Sequence, residues 1–279
     1  MLSRSGLGCD FDPGADFLAG IADRLRSAGC VFAEEEARLL AASASCPAEI
    51  NLHVERRVAG YPLEHILGWV EFGGLRIEVD PDVFVPRRRT ELLVNEAVEL
   101  LSPGSAGLAG TAVVVDLCCG SGAAGAAIGL RVAGLELHAA DIDPAAVACA
   151  HRNIARVGGN VHQGDLYGAL PASLRGNVSV LLANAPYVPT AHIATMPREA
   201  RDHEPRVSLD GGEDGLDLHR RLAAGAGEWL RADGHLLIET SELQAGQTAS
   251  IMSDAGFAAR IVRSDEVDGT VVIGRAVEA

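Results

Sequence analysis

The sequence contains no lysine, so all 23 of its basic residues are arginines, and they face 38 acidic residues. The formal net charge is −15. Such a charge disfavours non-specific binding to nucleic acid, because that affinity comes largely from neutralised phosphates. The most concentrated basic stretch is Arg87-Arg88-Arg89. Nucleic acid is therefore an unfavoured partner for this chain.

Three other absences narrow the class of protein further. No run of 18 apolar residues occurs, although 48% of the residues are hydrophobic, so no transmembrane helix is predicted. The first 20 residues include three aspartates and lack the continuous apolar stretch of a secretory signal peptide. The six cysteines and nine histidines show no zinc-binding spacing. We expect a cytoplasmic protein with reduced thiols, no membrane contact and no metal.

The pattern of hydrophobic residues divides the chain into three parts. Residues 1–68 have helical periodicity, with a break near Gly29, and predict a small helical domain. Residues 69–89 alternate like strands and predict a β-hairpin linker. Residues 90–279 form the third and largest part. The sequence carries no signal for an oligomeric state.

From Thr90 onward, short apolar runs alternate with segments of helical periodicity. This alternation predicts an α/β fold with a parallel, doubly wound sheet. Two further segments, Ala259–Arg263 and Thr270–Gly274, are spaced like a hairpin and predict an antiparallel edge. The buried runs are Ala112–Leu117, Leu135–Ala140, Val178–Ala183 and His235–Ile238, and the helical segments are 91–101, 123–133, 144–157 and 216–232.

A glycine-containing turn after the first buried strand predicts a nucleoside site. Val113–Leu117 leads into Gly120 and Gly122, where the backbone can approach a ligand closely. About 20 residues later, Asp141 closes the next strand, where a carboxylate can accept two ribose hydroxyls. The motif is shorter than the G-x-G-x-x-G that cradles the pyrophosphate of NAD. It suits S-adenosylmethionine, which has no phosphate.

A second motif, Asn184-Ala185-Pro186-Tyr187, follows the buried strand Val178–Ala183. The Asn184 side chain can accept from one partner while donating to another. Pro186 restricts Ala185 to extended geometry and can aim the Ala185 carbonyl out of the turn. Two such acceptors can hold a planar NH₂ group, and Tyr187 can pack beside it. Taken alone, the tetrapeptide is also compatible with an ordinary Asn-Pro turn.

These motifs belong to a longer ordered set of landmarks. The set comprises Arg57-to-Pro62, Pro86-to-Glu91, Asp116-to-Gly122, Ala140-to-Pro144, Asn184-to-Tyr187, Glu204-Pro205, Gly211-Gly212, Gly215-Leu216, Leu236-to-Glu239 and Gln244. In this order and spacing, residues 55–276 resemble the protein-(glutamine-N5) methyltransferases. That family includes the HemK/PrmC enzymes, which methylate peptide-chain release factors.

The resemblance implies a fold, a cofactor and a set of site residues. The fold is a class I, Rossmann-like methyltransferase with a mostly parallel seven-stranded sheet, behind a small helical domain that helps to select the protein substrate. S-adenosylmethionine is the cofactor, S-adenosylhomocysteine its product, and a protein glutamine the acceptor. The implied cofactor-binding residues are Asp116, Cys118, Cys119, Gly120, Ser121, Gly122, Asp141, Ile142, Asp165, Leu166 and Asn184. The implied catalytic residues are Asn184, Ala185, Pro186 and Tyr187, and the implied substrate-binding residues are Arg87, Thr90 and Glu204.

The chain departs from the family pattern at several places. Ala185 replaces a proline, but its carbonyl remains as an acceptor. Arg88 and Arg89 replace a proline and an acid, Cys118 replaces a glycine, and Thr270 replaces an arginine. The helical domain is also shorter than in the release-factor enzymes. These departures favour a protein partner other than a release factor.

Three alternatives remain open at the level of sequence. An adenine-N6 methyltransferase holds an exocyclic NH₂ group with a similar turn, but it needs a basic groove. A small molecule or a peptide natural product is a second class of acceptor. A non-catalytic protein that binds S-adenosylmethionine is the third, motivated by Ala185 and Cys118.

Overall fold

The computed structural model describes residues 13–102 and 111–276, which form two compact units. The smaller unit contains residues 13–68 together with residues 197–203. The larger unit contains the other described residues from Trp69 onward. Among the described residues, no helix is both long enough and apolar enough to cross a membrane.

The smaller unit is helical. Its helices pack through one apolar stripe each, since Leu25, Leu40 and Ile50 are almost completely buried together. Pro47 begins the third helix, where a missing backbone N–H costs nothing. The helices are α1 (Ala15–Ser27), α2 (Ala33–Ala42), α3 (Pro47–Val58), α4 (Leu63–Leu67) and α8 (Arg198–His203).

A buried arginine explains why α8 belongs to this unit. Arg57 pairs with Glu36 at 2.6 Å and also with Glu199 of α8. The ring of Tyr61 stacks on His203, with 4.1 Å between the ring centroids. Because a buried cation must be paired to be tolerated, these contacts hold a segment from late in the chain against the N-terminal helices.

The larger unit is built on a seven-stranded sheet, counted over the described residues, in the order β5-β4-β3-β6-β7-β9-β8. The first five strands in that order run parallel, and β9 pairs antiparallel with both β7 and β8. The strands are β3 (Val113–Leu117), β4 (Glu136–Asp141), β5 (Asn160–Gln163), β6 (Val178–Ala183), β7 (Leu230–Glu239), β8 (Phe257–Ser264) and β9 (Gly269–Ala276). The predicted α/β fold with an antiparallel edge is confirmed.

Helices cover both faces of this sheet, so the strands contribute side chains to two hydrophobic cores. Val114 of β3 points into one core, and its neighbours Val113 and Val115 point into the other. The first core lies under α5 (Glu91–Leu101), α6 (Ala123–Arg131) and α7 (Pro144–Ala155), and the second under α9 (Asp217–Trp229) and α10 (Ala245–Asp254). Burial on both faces explains the continuous apolar runs in the sequence.

A β-hairpin precedes the sheet and packs into the first core. Its strands are β1 (Trp69–Phe72) and β2 (Leu75–Glu78), which pair antiparallel. Gly73 and Gly74 both have positive φ, as a tight two-residue turn requires. Phe72 is buried in the same core as α5 and α6, so the hairpin belongs to the larger unit.

Two elements differ from the sequence-based expectation. The predicted helix 216–232 ends at Trp229, and β7 begins at Leu230 rather than at His235. Leu230 pairs with Val178, and the intervening residues form an irregularity before the register resumes at His235. Polar residues in that irregularity hid the start of the strand. The short strand β5 has no fully buried residue, so no apolar run marks it.

Candidate active site

A cavity of about 980 Å³ lies in the larger unit, beyond the carboxyl ends of β3, β4, β5 and β6. Parallel α/β sheets place their ligands at this edge. Of the residues singled out in the sequence, the cavity is lined by Arg87, Thr90, Asp116, Cys118, Cys119, Gly120, Ser121, Asp141, Ile142, Asp165, Leu166, Asn184, Ala185, Pro186, Tyr187 and Glu204. Motifs from four strand ends therefore meet in one place.

The turn after β3 uses left-handed backbone at every second residue. The φ angles of Cys118, Gly120 and Gly122 are 56°, 54° and 75°. A Cβ added to Gly120 would meet no atom within 4 Å, so this backbone faces open space in the cavity. Asp141 Oδ2 accepts a hydrogen bond from Gly120 N at 2.8 Å. Cys118 adopts the same backbone at a cost of about 1 kcal/mol that glycine would avoid.

Gly122 does not lie on the cavity wall, although the resemblance implied that it would. It caps the N-terminus of α6, and an added Cβ would lie 2.9 Å from the Ile154 side chain of α7. The structure therefore places Gly122 in the packing between two helices, where the absence of a side chain allows their close approach.

The end of the cavity near β3 and β4 is acidic. Burial raises the pKa of Asp116 to about 7, although Gly125 N–H donates to its carboxylate at 2.9 Å. Burial also raises the pKa of Asp141. The Ser121 hydroxyl is buried and has no hydrogen-bond partner among the described residues. Both carboxylates would be stabilised by a cationic ligand with groups for hydrogen bonding.

This raised pKa leads to a prediction about stability. Below about pH 4 Asp116 is protonated in both the folded and the unfolded chain, and its contribution to the free energy of unfolding is fully present. As the pH rises towards 7, the unfolded chain ionises first, so folding loses about 1.4 kcal/mol per pH unit from this group. We expect Asp116→Asn to gain stability relative to the wild type between about pH 4 and pH 7, measured by denaturant unfolding. A difference that stays constant with pH would contradict this.

The third loop carries Asp165 and Leu166. Asp165 Oδ2 accepts from Arg221 of α9 at 2.7 Å. Leu166 is buried with a φ of 47°, which is uncommon for a residue of this type. Backbone strain of this kind concentrates at ligand sites. Arg221 also lines the cavity, and no motif in the sequence pointed to it.

The Asn184 side chain is held at one end only. Its Nδ2 donates to Thr90 Oγ1 at 3.1 Å, which leaves Oδ1 as the acceptor on the other side of the amide. Ala185 is 1% exposed, and within residues 13–102 and 111–276 nothing donates to its carbonyl oxygen. Two acceptors on consecutive residues are therefore available at the cavity wall.

The loop of residues 209–215, together with Gln244, forms a clamp on the residues that follow Asn184. Gln244 Nε2 donates to the Tyr187 carbonyl at 3.0 Å and to the Asp214 carbonyl at 3.1 Å. Val188 N donates to the Leu209 carbonyl at 3.1 Å. The segment that the sequence marks by Gly211-Gly212 and Gly215 thus holds the Asn184 turn in shape. Its glycines permit the close approach, since a Cβ on Gly215 would collide with the Tyr187 carbonyl oxygen.

Gly215→Ala is expected to disturb this clamp. Gly215 has a φ of 80°, and the added methyl group would also lie 2.5 Å from Gln244 Nε2. Strain and collision together should cost about 2–4 kcal/mol, measured as the free energy of unfolding, and turnover should fall with it. Gly227→Ala in α9 is the matched control, because its Cβ would meet nothing within 4 Å. A Gly215→Ala protein as stable as this control would contradict the clamp.

The expected substrate residues Arg87 and Glu204 are paired with each other. The Glu204 side chain has no exposed surface, accepts from Arg87, and also accepts from Val85 N at 3.4 Å. The guanidinium of Arg87 lies 5.3 Å from the centre of the Phe84 ring. Glu204 therefore fixes the position of Arg87, and only the partly exposed Arg87 side chain has a free surface for a substrate.

Comparisons with known proteins identify the family of this chain. Residues 90–199 match the family model of the methyltransferase small domain. The chain is 38% identical over 203 residues to a release factor glutamine methyltransferase of Moorella thermoacetica, covering 72% of this chain and 69% of the relative. A relative of the same name from Bradyrhizobium diazoefficiens is 31% identical over 255 residues, covering 85% of each chain. The chain belongs to the family of these release factor glutamine methyltransferases.

The fold comparison is consistent with that membership. A methyltransferase from Pyrococcus furiosus superposes with a TM-score of 0.54 over 73% of this chain and 90% of its own, at 16% identity. The chain is thus an S-adenosylmethionine-dependent methyltransferase. The cavity fits that cofactor. The sulfonium and ammonium groups of S-adenosylmethionine are cations, and the turn at Gly120 and Asp141 is open and acidic.

Proposed function

We propose that this chain transfers a methyl group from S-adenosylmethionine to the side-chain amide nitrogen of a glutamine in a protein. The observation that carries the proposal is the pair of available acceptors, Asn184 Oδ1 and the Ala185 carbonyl, on the wall of the cofactor cavity. A primary amide presents two N–H groups in one plane, which these acceptors match.

The residues around the β3 turn would hold the cofactor. Asp141 would accept the ribose hydroxyls, and Asp165 with Leu166 would flank the adenine. Gly120 would allow the methionine portion to approach the backbone, and Asp116 would face its positive charge. When bound, S-adenosylmethionine supplies an electrophilic methyl group on a sulfonium.

The acceptor pair would act mainly by orientation. An amide nitrogen is a poor nucleophile, because its lone pair is delocalised into the carbonyl. Asn184 Oδ1 and the Ala185 carbonyl would bind both hydrogens, so that the lone pair is aimed along the line of attack. Orientation of this kind can supply roughly 7–11 kcal/mol of the barrier. The same oxygens would stabilise the positive charge that develops on nitrogen. As the new N–C bond forms, the bond between the methyl group and sulfur would break and leave neutral S-adenosylhomocysteine. The methylated nitrogen would then give up one proton to solvent, so no strong base is needed beforehand.

The helical unit supports a protein as the substrate. We place substrate recognition in residues 1–68, a connection in the hairpin region 69–89, and methyl transfer in residues 90–279. The relatives are named for release factors, so a release factor is the first partner to test. Such a partner would place the reaction in the cytoplasm, where translation terminates.

The test is transfer of labelled methyl from S-adenosylmethionine to purified release factors and to fractionated lysate, with mass spectrometry to locate the methyl group. A methyl on a release-factor glutamine supports both the chemistry and the partner. A methyl on a glutamine of another protein supports the chemistry with a different partner. Methyl transfer only to adenine or to small molecules, or cofactor binding with no transfer at all, would overturn the proposal.

A further inference from the structure

A buried glutamate ends β7 directly beside the proposed acceptor. Ala183 of β6 pairs with Ile238 of β7, so the residues that follow them, Asn184 and Glu239, are neighbours at the same sheet edge. Glu239 is 1% exposed, and its Oε2 has no hydrogen-bond partner among the described residues. A buried carboxylate with unused acceptor capacity is costly, and the mechanism above gives it no role.

Thr90 connects this glutamate to Asn184. Thr90 is 5% exposed, its Oγ1 accepts from Asn184 Nδ2 at 3.1 Å, and its side chain lies near enough to Glu239 to lower the pKa of that carboxyl. An ionised carboxylate can only accept, so a Thr90 hydroxyl turned towards Glu239 would donate its one proton to that carboxylate. The lone pairs of Oγ1 then remain for Asn184, which turns its NH₂ group towards Thr90.

We propose that Glu239 is a positioning residue that acts through Thr90 to fix which end of the Asn184 amide faces the cavity. The inference rests on the proposed function, in which Asn184 Oδ1 accepts an N–H of the substrate amide. The reversed amide would present one NH₂ group to another and would repel the substrate. Glu239 thus selects between two orientations that have the same shape but opposite hydrogen-bonding character.

Protonation of Glu239 would remove this selection. A neutral carboxyl group can donate to Thr90 Oγ1, which frees the Thr90 hydroxyl to donate to Asn184 Oδ1 and so favours the reversed amide. Burial raises the pKa of Glu239 to about 7, whereas Thr90 and Arg89 act to lower it. Tyr187 also lies nearby, and its own pKa is raised by burial and by Glu239, so it stays neutral. Activity should therefore rise as the pH increases through about 7.

Substitutions at three positions test the relay through turnover. Thr90→Val removes the acceptor for Asn184 Nδ2 and should lower kcat by about 10- to 100-fold with cofactor affinity unchanged, while Thr90→Ser should restore it. Glu239→Gln should lower kcat and remove the part of the pH dependence near 7 that comes from Glu239, because glutamine does not titrate, and should leave the part that comes from Asp116. Arg89→Gln should move that dependence to higher pH, since the arginine favours the ionised carboxylate.

Thr248→Val is the matched control. It removes an equally buried hydroxyl, which contacts His219 Nδ1 at 3.0 Å and does not line the cavity. We expect it to affect stability and to leave the pH profile of turnover unchanged. Wild-type rates and an unchanged pH profile in both Thr90→Val and Glu239→Gln would overturn the relay while leaving glutamine methylation intact.

A second measurement separates this inference from the proposed function. In protein labelled with ¹⁵N at asparagine, the Asn184 NH₂ signals, assigned with Asn184→Ala, should titrate near pH 7 in the wild type and lose that titration in Glu239→Gln. This readout needs no methyl acceptor. Such a titration supports the relay even if no glutamine is methylated, and signals that do not respond to Glu239 overturn it.

Discussion

Asn184→Ala should abolish measurable methyl transfer while leaving most cofactor binding in place. The substitution removes one of the two acceptors that orient the substrate nitrogen, and it also leaves Thr90 Oγ1 without its donor. Removing a single preorganised group that stabilises developing charge typically lowers kcat by about 10²–10³-fold. Loss of orientation adds to this, because the remaining Ala185 carbonyl can hold only one N–H. Steady-state kinetics together with calorimetric titration of S-adenosylmethionine measure the two effects separately.

The matched control for this variant is Asn177→Ala. The Asn177 side chain donates to the Ser173 carbonyl at 3.0 Å and to the Arg175 carbonyl at 3.2 Å, in an exposed turn. It does not line the cofactor cavity. We expect the control to keep wild-type turnover. If a folded Asn184→Ala protein turns over at the control rate, the acceptor pair does not carry the reaction.

Much of the cavity was predictable because parallel strands bring their carboxyl ends to one edge. Asp141 and Asn184 are 43 positions apart in the numbering, yet each closes or follows a strand rich in apolar residues, so both were expected at that edge. The turn at Gly120 was predictable for a different reason, because a residue without Cβ leaves its backbone open to a ligand.

Other features depend on contacts that no local pattern encodes. Glu199 joins the helical unit because Arg57 is buried there and needs a second anion, and nothing near Glu199 in the sequence indicates this. Glu239 resembles an ordinary polar end to a strand until the register of β6 and β7 places it beside Asn184. Gly122 resembled a second cavity glycine, but its position is decided by the side chain of Ile154 on a different helix.

Asp141→Ala should have the second largest effect, and it should act on cofactor affinity. Asp141 accepts from Gly120 N at 2.8 Å and from Asp143 N at 3.0 Å, so it both shapes the turn after β3 and faces the cavity. Each hydrogen bond between its carboxylate and a ribose hydroxyl is worth about 1.5–3 kcal/mol. Losing two of them should raise the Kd for S-adenosylmethionine by about 100-fold or more, measured by calorimetry.

Asp143→Asn provides the matched control at the same acidic end of the cavity. Asp143 Oδ1 caps α7 by accepting from Ala145 N at 2.8 Å, and asparagine caps a helix equally well. The control removes one negative charge two positions from Asp141 while the turn and the helix keep their hydrogen bonds. We expect its Kd to stay within about threefold of the wild type, because a partly exposed charge that does not contact the ligand contributes little. Equal Kd values for Asp141→Ala and Asp143→Asn would show that Asp141 does not bind the ribose, and would leave its contacts with Gly120 and Asp143 as its role.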